Sequence, residues 1–530
     1  MHTTSRMVRQ ACWVSLGCAV LQLLPAFAAE TGRGKAEHVV VLVWDGMRRD
    51  FITPQYTPNL CALARQGVFF NNHHPVFPTS TEVNGVALAT GVYPNRSGMM
   101  ANNDYRPELN FLGSIATEGM DNVRRGDLLT GGRYLQYATL PEILQQAGHS
   151  TIVSGSKPVA MLWDRAAKRI SAAQSNSPVL FAGQSIPKSL MKQVERMLDG
   201  KKFPSTNSVP NSEKDAWTAN AVIKGLWDDG VPKFTLIWLY DPDATQHAEG
   251  VGSDQALASI AHSDKCLADV LKALDEQEIR DKTDVIVISD HGFSNVKRGP
   301  DVVEALKRAK FKAVRKFDDP EPEEILVVGH GGAVSFYVVD HNEKVTRKLV
   351  EFLQGTDFAG TIFSRVAVEG AFSLETVRIN TTNVTPDVVM SMRWVDEANE
   401  NGVSGMFYGD GGARGKGSHA SLSKYDLKNT LVAAGPDFKK GMVDALPSGN
   451  VDLTPTILWI LGIAPPQPLD GRVLHEALVN GDTKAPSKAT TKTLEADHDY
   501  GWFRWHQYLK VSQVGNTVYF DEGNGGMEAK

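Results

Sequence analysis

Asp243 and His247 stand four residues apart in Asp241-Pro242-Asp243-Ala244-Thr245-Gln246-His247, and Asp290 and His291 are adjacent in Ser289-Asp290-His291-Gly292. Asp45 follows an apolar run, and His419 closes the Gly-rich Gly415-Lys416-Gly417-Ser418-His419. Hard carboxylate oxygens and neutral imidazoles of this kind suit a pair of divalent metal ions. The acids offset two clustered charges, imidazole binds zinc well, and no cysteine is needed. Taken singly, each piece has a plainer reading: Asp45 fits a helix cap, Asp243 and His247 an ordinary turn, Asp290-His291 a hydrogen-bonded loop. Taken together, most of them behind apolar runs, they predict a metal-assisted hydrolytic centre. His330, in Gly329-His330-Gly331-Gly332, offers the same donor but nothing ties it to the set, so it is read as a loop histidine.

A hydroxyl nucleophile has a candidate in Thr81. The run Phe77-Pro78-Thr79-Ser80-Thr81-Glu82-Val83-Asn84-Gly85 precedes a short helix-like stretch, Val86 to Gly91. Free backbone N–H groups and the positive end of the dipole at a helix start suit a phosphate. The three hydroxyl residues also fit a simple cap.

Positioning these groups is a matter of strands. His38 to Trp44 is continuously apolar, as expected of a strand covered on both faces, and delivers Asp45 at its carboxyl end. Phe234 to Tyr240 leads to Asp241-Pro242-Asp243, and Asp284 to Ser289 leads to Asp290. Between them Gly252 to Glu276 carries a helical apolar stripe opened by Ser253 or Asp254, and Thr57 to Gln66 reads as another helix. In an open α/β sheet, ligands bind outside the carboxyl ends of the strands, so distant fragments converge there.

Other stretches interrupt this rhythm. Residues 103–137 are polar and Gly-rich and read as a loop over the site; 297–410 read as an inserted lobe, with a strand near Ala333 to Val339 and a helix near Lys344 to Leu353. Insertions of this kind are where substrate choice resides. Residues 481–496 read as a linker, and the aromatic end piece with Trp502, Phe503, Trp505, Tyr508 and Tyr519 is expected to pack back on the body. The 530 residues would make about three to four average domains, but large α/β folds absorb such lengths, and one catalytic domain over 29–480 followed by a 481–530 extension is preferred.

The net charge of −6 argues against a nucleic-acid polymer as partner and leaves a small anion or ester. Arg6 and Arg9, the apolar Cys12 to Leu24 and Ala26-Phe27-Ala28 predict an export signal cut after Ala28, giving a periplasmic or secreted protein. No stretch approaches the about 20 apolar residues of a stable membrane span. Of four cysteines, Cys61 and Cys266 would remain, read as buried free thiols without chemistry.

Asp45-Gly46, Pro78-Thr79-Ser80-Thr81, Thr90-Gly91-Val92-Tyr93-Pro94, Asp243-x-x-x-His247, Asp290-His291-Gly292 and Gly417-Ser418-His419 resemble the nucleotide pyrophosphatase/phosphodiesterase family of the alkaline phosphatase superfamily. Thr57-Pro58-Asn59-Leu60, Ala434-Gly435-Pro436, Val451 to Thr456 and Asp470-Gly471-Arg472 extend the match across most of 38–475. The resemblance implies an α/β three-layer sandwich with a mostly parallel central sheet, helices on both faces and inserted loops. It implies Thr81 as nucleophile, a phosphothreonine intermediate and Asn102 as the phosphate-holding amide. It implies two zinc ions, one on Asp243, His247 and His419, the other on Asp45, Asp290, His291 and the Thr81 oxygen; manganese would suit the same donors.

Departures bear on the substrate. Nucleotide-cleaving relatives place an aromatic ring after the threonine, where this chain has Glu82-Val83-Asn84-Gly85. Glu82 there would repel anions or hydrogen-bond a hydroxylated group, so lipid and sugar phosphodiesters stand beside nucleotides. Threonine-using monoesterases carry Lys-x-Arg where this chain has Lys157-Pro158-Val159. A pocket without that Arg compensates one negative charge better than two, which favours diesters, with Val159→Arg expected to shift preference towards monoesters. A phosphomonoesterase and a metal-stabilised binding protein without turnover are the alternatives; a sulfatase lacks its Cys-x-Pro-x-Arg site.

Overall fold

The computed structural model describes residues 34–166, 168–381 and 384–530; the predicted export signal lies outside these. A nine-stranded sheet forms the centre, and five consecutive strands of it run parallel in the order Thr283–Ile288, His38–Trp44, Phe234–Leu239, Thr151–Gly155, Val179–Phe181. Antiparallel neighbours Leu431–Ala434 and Gln184–Ile186 flank them, and Val68–Phe70 and Met442–Asp444 complete one edge.

Continuous hydrophobicity in these strands reflects burial on both faces. Along His38–Trp44, Val39, Val41 and Val43 enter one core while Val40, Leu42 and Trp44 enter another. Phe234, Leu236 and Trp238 join the first core, and Ile237 and Leu239 the second. Helix Thr81–Thr90 closes the first face through Val83, Val86 and Leu88, together with helices Leu140–Gln146 and Leu453–Ile460. Helix Asp254–Glu276 covers the second through Ile260, Leu267, Val270 and Leu274, and Pro58–Gln66 lies beside it through Leu60 and Leu63. Ser253 caps the long helix by accepting the Ala256 amide hydrogen.

Several expectations need correction. The 103–137 stretch is not loop throughout: Met120–Thr130 is a helix, closed by Gly131 at φ 65°. Its apolar positions are sparse, Val123 being the one buried hydrophobic side chain, which is why no stripe stands out. The polar Lys-Thr-rich stretch read as linker enters a strand, Ala489–Asp499, at the exposed edge of a three-stranded antiparallel sheet with Phe503–Val514 and Thr517–Ala529. Cys61 is half-buried rather than buried; both it and the buried Cys266 are free thiols.

Within 297–410, strands Ile325–Gly329, Ala333–Val338, Val388–Met392 and Ala359–Ser364 build most of a six-stranded sheet, backed by helix Glu343–Gln354. A smaller four-stranded sheet matters more for the site. Ser294–Arg298, just after His291, pairs with Gly417–Ser418, just before His419, in the register Ser294 to Ser418. Two histidines far apart in sequence are thereby brought side by side.

Candidate metal centre

Four parallel strands end at one edge, and each delivers a charged group within a few residues: Asp45, Lys157, Asp243, and Asp290 with His291. Gly46, at φ 70°, turns the chain sharply after Asp45, and its amide donates to Asp290 Oδ1 at 3.0 Å. Trp238 Nε1 donates to Asp45 Oδ2 at 2.8 Å. The Asp243 amide donates to the Asp45 carbonyl at 2.9 Å, which joins two strand ends directly.

Three imidazoles face these acids. Asp243 Oδ1 lies 3.3 Å from His247 Nε2, 3.5 Å from His419 Nε2 and 4.0 Å from His291 Nε2. His291 Nε2 is also 3.6 Å from Asp45 Oδ1 and 3.3 Å from Asp290 Oδ2. The rings of His291 and His419 stack with centroids 3.8 Å apart. Each Nδ1 is turned to a backbone carbonyl, that of His247 to Gly417, of His291 to Gly292 and of His419 to Thr79, so each Nε2 points inward. This is how metal-binding histidines are oriented by outer partners.

The donors fit divalent cations. Asp45 Oδ1, Asp243 Oδ1 and Asp290 Oδ2 are buried and have no hydrogen-bond partner, although such oxygens in a protein interior normally find a donor. Two overlapping groups, Asp243 with His247 and His419, and Asp45 with Asp243 and His291, bring their donor atoms within 4.8 Å of one another. Asp243 belongs to both. Burial, followed by the neighbouring His291, holds the His419 imidazole well below its ordinary range and therefore neutral, the state a ligand needs. Burial and the Asp290 charge push the Asp45 carboxyl up, whereas Asp243, against the pull of burial, is held well below the carboxylate range by Lys157 and His247.

Thr81 stands at the first position of its helix, with its Oγ1 3.3 Å from His291 Nε2. The helix starts five residues before the apolar run that signalled it in the sequence. Asn102 is drawn to the same end, its Oδ1 accepting the Glu82 amide hydrogen at 3.1 Å. All of Asp45, Thr81, Asn102, Asp243, His247, Asp290, His291 and His419 therefore gather in one place. His330 does not join them; its Nε2 pairs with Ser335 Oγ at 3.0 Å.

Lys157, read from sequence only as the lysine of an incomplete Lys-x-Arg pair, also enters the centre. Its Nζ donates to Asp243 Oδ2 at 2.9 Å, Asp45 Oδ2 at 3.0 Å and Thr81 Oγ1 at 3.2 Å. Burial draws its pKa down, but Asp243 and Asp45 raise it well above the ordinary lysine value. The signal available was its place two residues beyond the buried strand Thr151–Gly155, the rule that picks out Asp45. Val159 requires the opposite correction: it is fully buried, and a Cβ on Gly85 would come within 2.7 Å of its Cγ2. It is a core residue, so Val159→Arg would bury a charge rather than retune a pocket.

Residues 39–390 match the family model described as type I phosphodiesterase / nucleotide pyrophosphatase. The chain belongs to this family. Over 472 residues it is 23% identical to ectonucleotide pyrophosphatase/phosphodiesterase family member 7 of Mus musculus, covering 88% of this chain and 92% of that one. It is 22% identical over 263 residues to venom phosphodiesterase 2 of Crotalus adamanteus, which covers 49% of this chain but only 27% of the snake protein, about a quarter of its length. Among solved structures, murine ectonucleotide pyrophosphatase/phosphodiesterase 5, in an inactive threonine-to-alanine form in complex with AMP, superposes with a TM-score of 0.58. That likeness is at 17% identity and covers 83% of this chain and all of the other, and it extends the family match to the fold.

Proposed function

We propose that this family member is an exported, metal-dependent phosphodiesterase in which Thr81 is the nucleophile. The observation that carries the reading is the Thr81 hydroxyl at a helix N-terminus, beside three buried carboxylate oxygens without protein partners and three inward-facing imidazole nitrogens. Asp243, His247 and His419 would hold one cation; Asp45, Asp290, His291 and Thr81 would hold the other, with zinc or manganese suiting the donors. When bound, such ions supply the positive charge that favours an ionised hydroxyl and a departing alkoxide.

The chain's own groups do the rest. The Thr81 backbone N–H, at the start of its helix, and the Nδ2 amide of Asn102, whose Oδ1 is anchored on the Glu82 N–H, hold a non-bridging phosphoryl oxygen. Thr81 Oγ1 attacks phosphorus, its bond to phosphorus forming as the bond to the leaving oxygen breaks. Water then cleaves the phosphothreonine and the hydroxyl is restored. The Lys157 ammonium adds a single compensating charge, and the core position of Val159 leaves no place for a second at that point of the chain. This supports a diester, with one negative charge, over a monoester. Nucleotide, lipid and sugar phosphodiesters are the candidate substrates.

The purified mature protein should release p-nitrophenol from bis(p-nitrophenyl) phosphate and hold about two zinc ions per chain. Thr81→Ala should lower that rate by at least about a thousandfold with an unchanged fold. Residual wild-type-like turnover in Thr81→Ala would remove the nucleophile assignment, and a wild type inert across an ester panel would leave a binding protein. Export is supported by the Arg6 to Ala28 pattern, and among the described residues no helix is long and apolar enough to cross a membrane. N-terminal sequencing of the exported chain should begin at Ala29.

A further inference from the structure

On a chain of net charge −6, four lysines share one cleft of about 540 Å³ between the body and the C-terminal sheet. Lys424 and Lys428 come from the segment after His419, Lys492 from strand Ala489–Asp499 and Lys510 from strand Phe503–Val514. Among the described residues the acids that line the cleft are Asp521 and Glu522, both of strand Thr517–Ala529. Each is already engaged. Asp521 accepts from Ser512 Oγ at 2.8 Å and lies 3.2 Å from His74 Nε2, and Glu522 pairs with Lys510. None of the candidate metal ligands lines this cleft.

Two of the lysines are left without a counter-charge. Lys424 pairs with Asp396 at 2.8 Å and Lys510 with Glu522, but Lys428 and Lys492 enter no ion pair or hydrogen bond among the described residues. Lys428 is half-buried, and burial, followed by the Arg49 charge, draws its pKa below the ordinary lysine value against the pull of Asp521 and Glu522. A cation held where its charge is disfavoured gains from an anion that the fold itself does not supply. The Lys424–Asp396 pair is exposed and contributes little, so Lys424 can turn to such an anion at small cost. Thr491 and Thr493 add exposed hydroxyl donors to the same lining.

We infer that this cleft is a second ligand site, in which Lys428 and Lys492, with Lys424 and Lys510 beside them, bind the phosphate dianion of a monoester and so bridge the body and the C-terminal sheet. With four lysines against two acids, the lining carries two excess positive charges. A phosphate monoester carries about 1.5–2 negative charges at neutral pH, which matches that excess. Ammonium groups serve as point-charge phosphate binders. A soluble sugar phosphate and the head group of phosphatidic acid both present this dianion.

The test compares three metal-loaded forms of the full chain: wild type, the double variant Lys428→Gln with Lys492→Gln, and the double variant Lys484→Gln with Lys488→Gln. The last removes two exposed lysines that do not line the cleft, at the same change of net charge. The metal centre is common to all three, so a difference between them reports on the cleft. In titration calorimetry, inorganic phosphate should bind the cleft of wild type and of the Lys484/Lys488 form at least about tenfold more tightly than that of the Lys428/Lys492 form. Lys492→Gln alone, at an exposed strand position, should weaken phosphate in the same direction, and Lys428→Arg should retain it. Phosphate should raise the melting temperature of wild type more than that of the cleft variant, because it binds the folded chain there. Phosphatidylcholine vesicles with and without phosphatidic acid separate the sources. Sedimentation of wild type, but not of the cleft variant, with the phosphatidic acid vesicles assigns a lipid ester; phosphate binding without sedimentation assigns a soluble one. Equal phosphate affinity in wild type and the Lys428/Lys492 form, or an equal loss in the Lys484/Lys488 form, would overturn the site.

Discussion

At the scale of single residues, the centre is a problem of charge. Asp45 and Asp243 are buried together, and Lys157 is the cation placed between them. Removing one partner of a buried ion pair costs about 3–5 kcal/mol, because the other charge is left uncompensated. Lys157→Met should therefore lower thermal stability strongly in excess chelator and clearly less in excess zinc, where bound cations would neutralise the same oxygens. Equal losses in both conditions would mean that Lys157 and the metals do not share those carboxylates. A second buried residue sets a pH response. His73 bridges Ser448 and Asn450, and burial, aided by His74, lowers its pKa to about 3. The unfolded chain protonates this ring near its ordinary pKa of about 6.5, while the folded chain does not. The stabilisation is thus complete above about pH 6.5 and is lost as pH falls towards 3, by about 2 kcal/mol at pH 5. His73→Asn should be less stable than wild type at pH 7.5, and the gap should narrow by about that amount at pH 5 in urea titrations; a constant gap would contradict a buried neutral ring.

At the scale of elements, the loop before Thr81 is fastened at several points by one side chain, Asn84, while Thr79 is tied to the His419 segment. Asn84 Nδ2 donates to the carbonyls of Val76, Pro78 and Ser80 at 3.1, 3.2 and 3.1 Å, while its Oδ1 accepts from the Val76 amide and from Asn450 Nδ2. Asn84→Leu keeps the branched heavy-atom skeleton but strands several buried backbone groups, and should cost about 2–4 kcal/mol. Because that loop aims Thr81, kcat should fall even where the metal content is unchanged; a loss of stability with normal kcat would separate the loop from the site. This element also marks the limit of reading from sequence. Buried parallel strands were legible because both faces are apolar, so His38–Trp44 and the acids at the strand ends stood out, and helix Asp254–Glu276 announced itself by its stripe and its Ser253 cap. Helix Thr81–Thr90 was half hidden, since its first turn is polar yet every residue is buried, with hydrogen bonds in place of an apolar pattern. Lys157 followed a strand of only five residues, Thr151–Gly155, with a Ser and a Thr in it, so the apolar signal ahead of it is weak.

At the scale of the molecule, the C-terminal sheet belongs to the body. Along Phe503–Val514 alternate residues are buried, with Phe503, Trp505 and Leu509 facing inward, and Trp505 Nε1 donates to the Gly370 carbonyl at 2.9 Å. Leu509 and Phe520 share a core with Phe77, Met100 and Ala420, which neighbour Thr79, Asn102 and His419 in the chain. Tyr519 Oη donates to Asp452 at 2.8 Å, and Tyr93 Oη accepts the Val518 amide hydrogen at 2.9 Å, so the last strand also grips the central domain. The sheet thus spans from the inserted lobe to the loops that carry the candidate ligands. Deleting 487–530 would expose those cores on both partners at once and should leave a chain that neither melts cooperatively nor retains zinc. The milder Trp505→Ala opens one cavity, with an expected cost of about 3–5 kcal/mol. Calorimetry of Trp505→Ala should show the loss of tail structure and the release of zinc moving to lower temperature together. A tail transition that shifts alone, with zinc retained to the wild-type temperature, would make the sheet an independent appendage and its grip on Phe77 and Ala420 incidental.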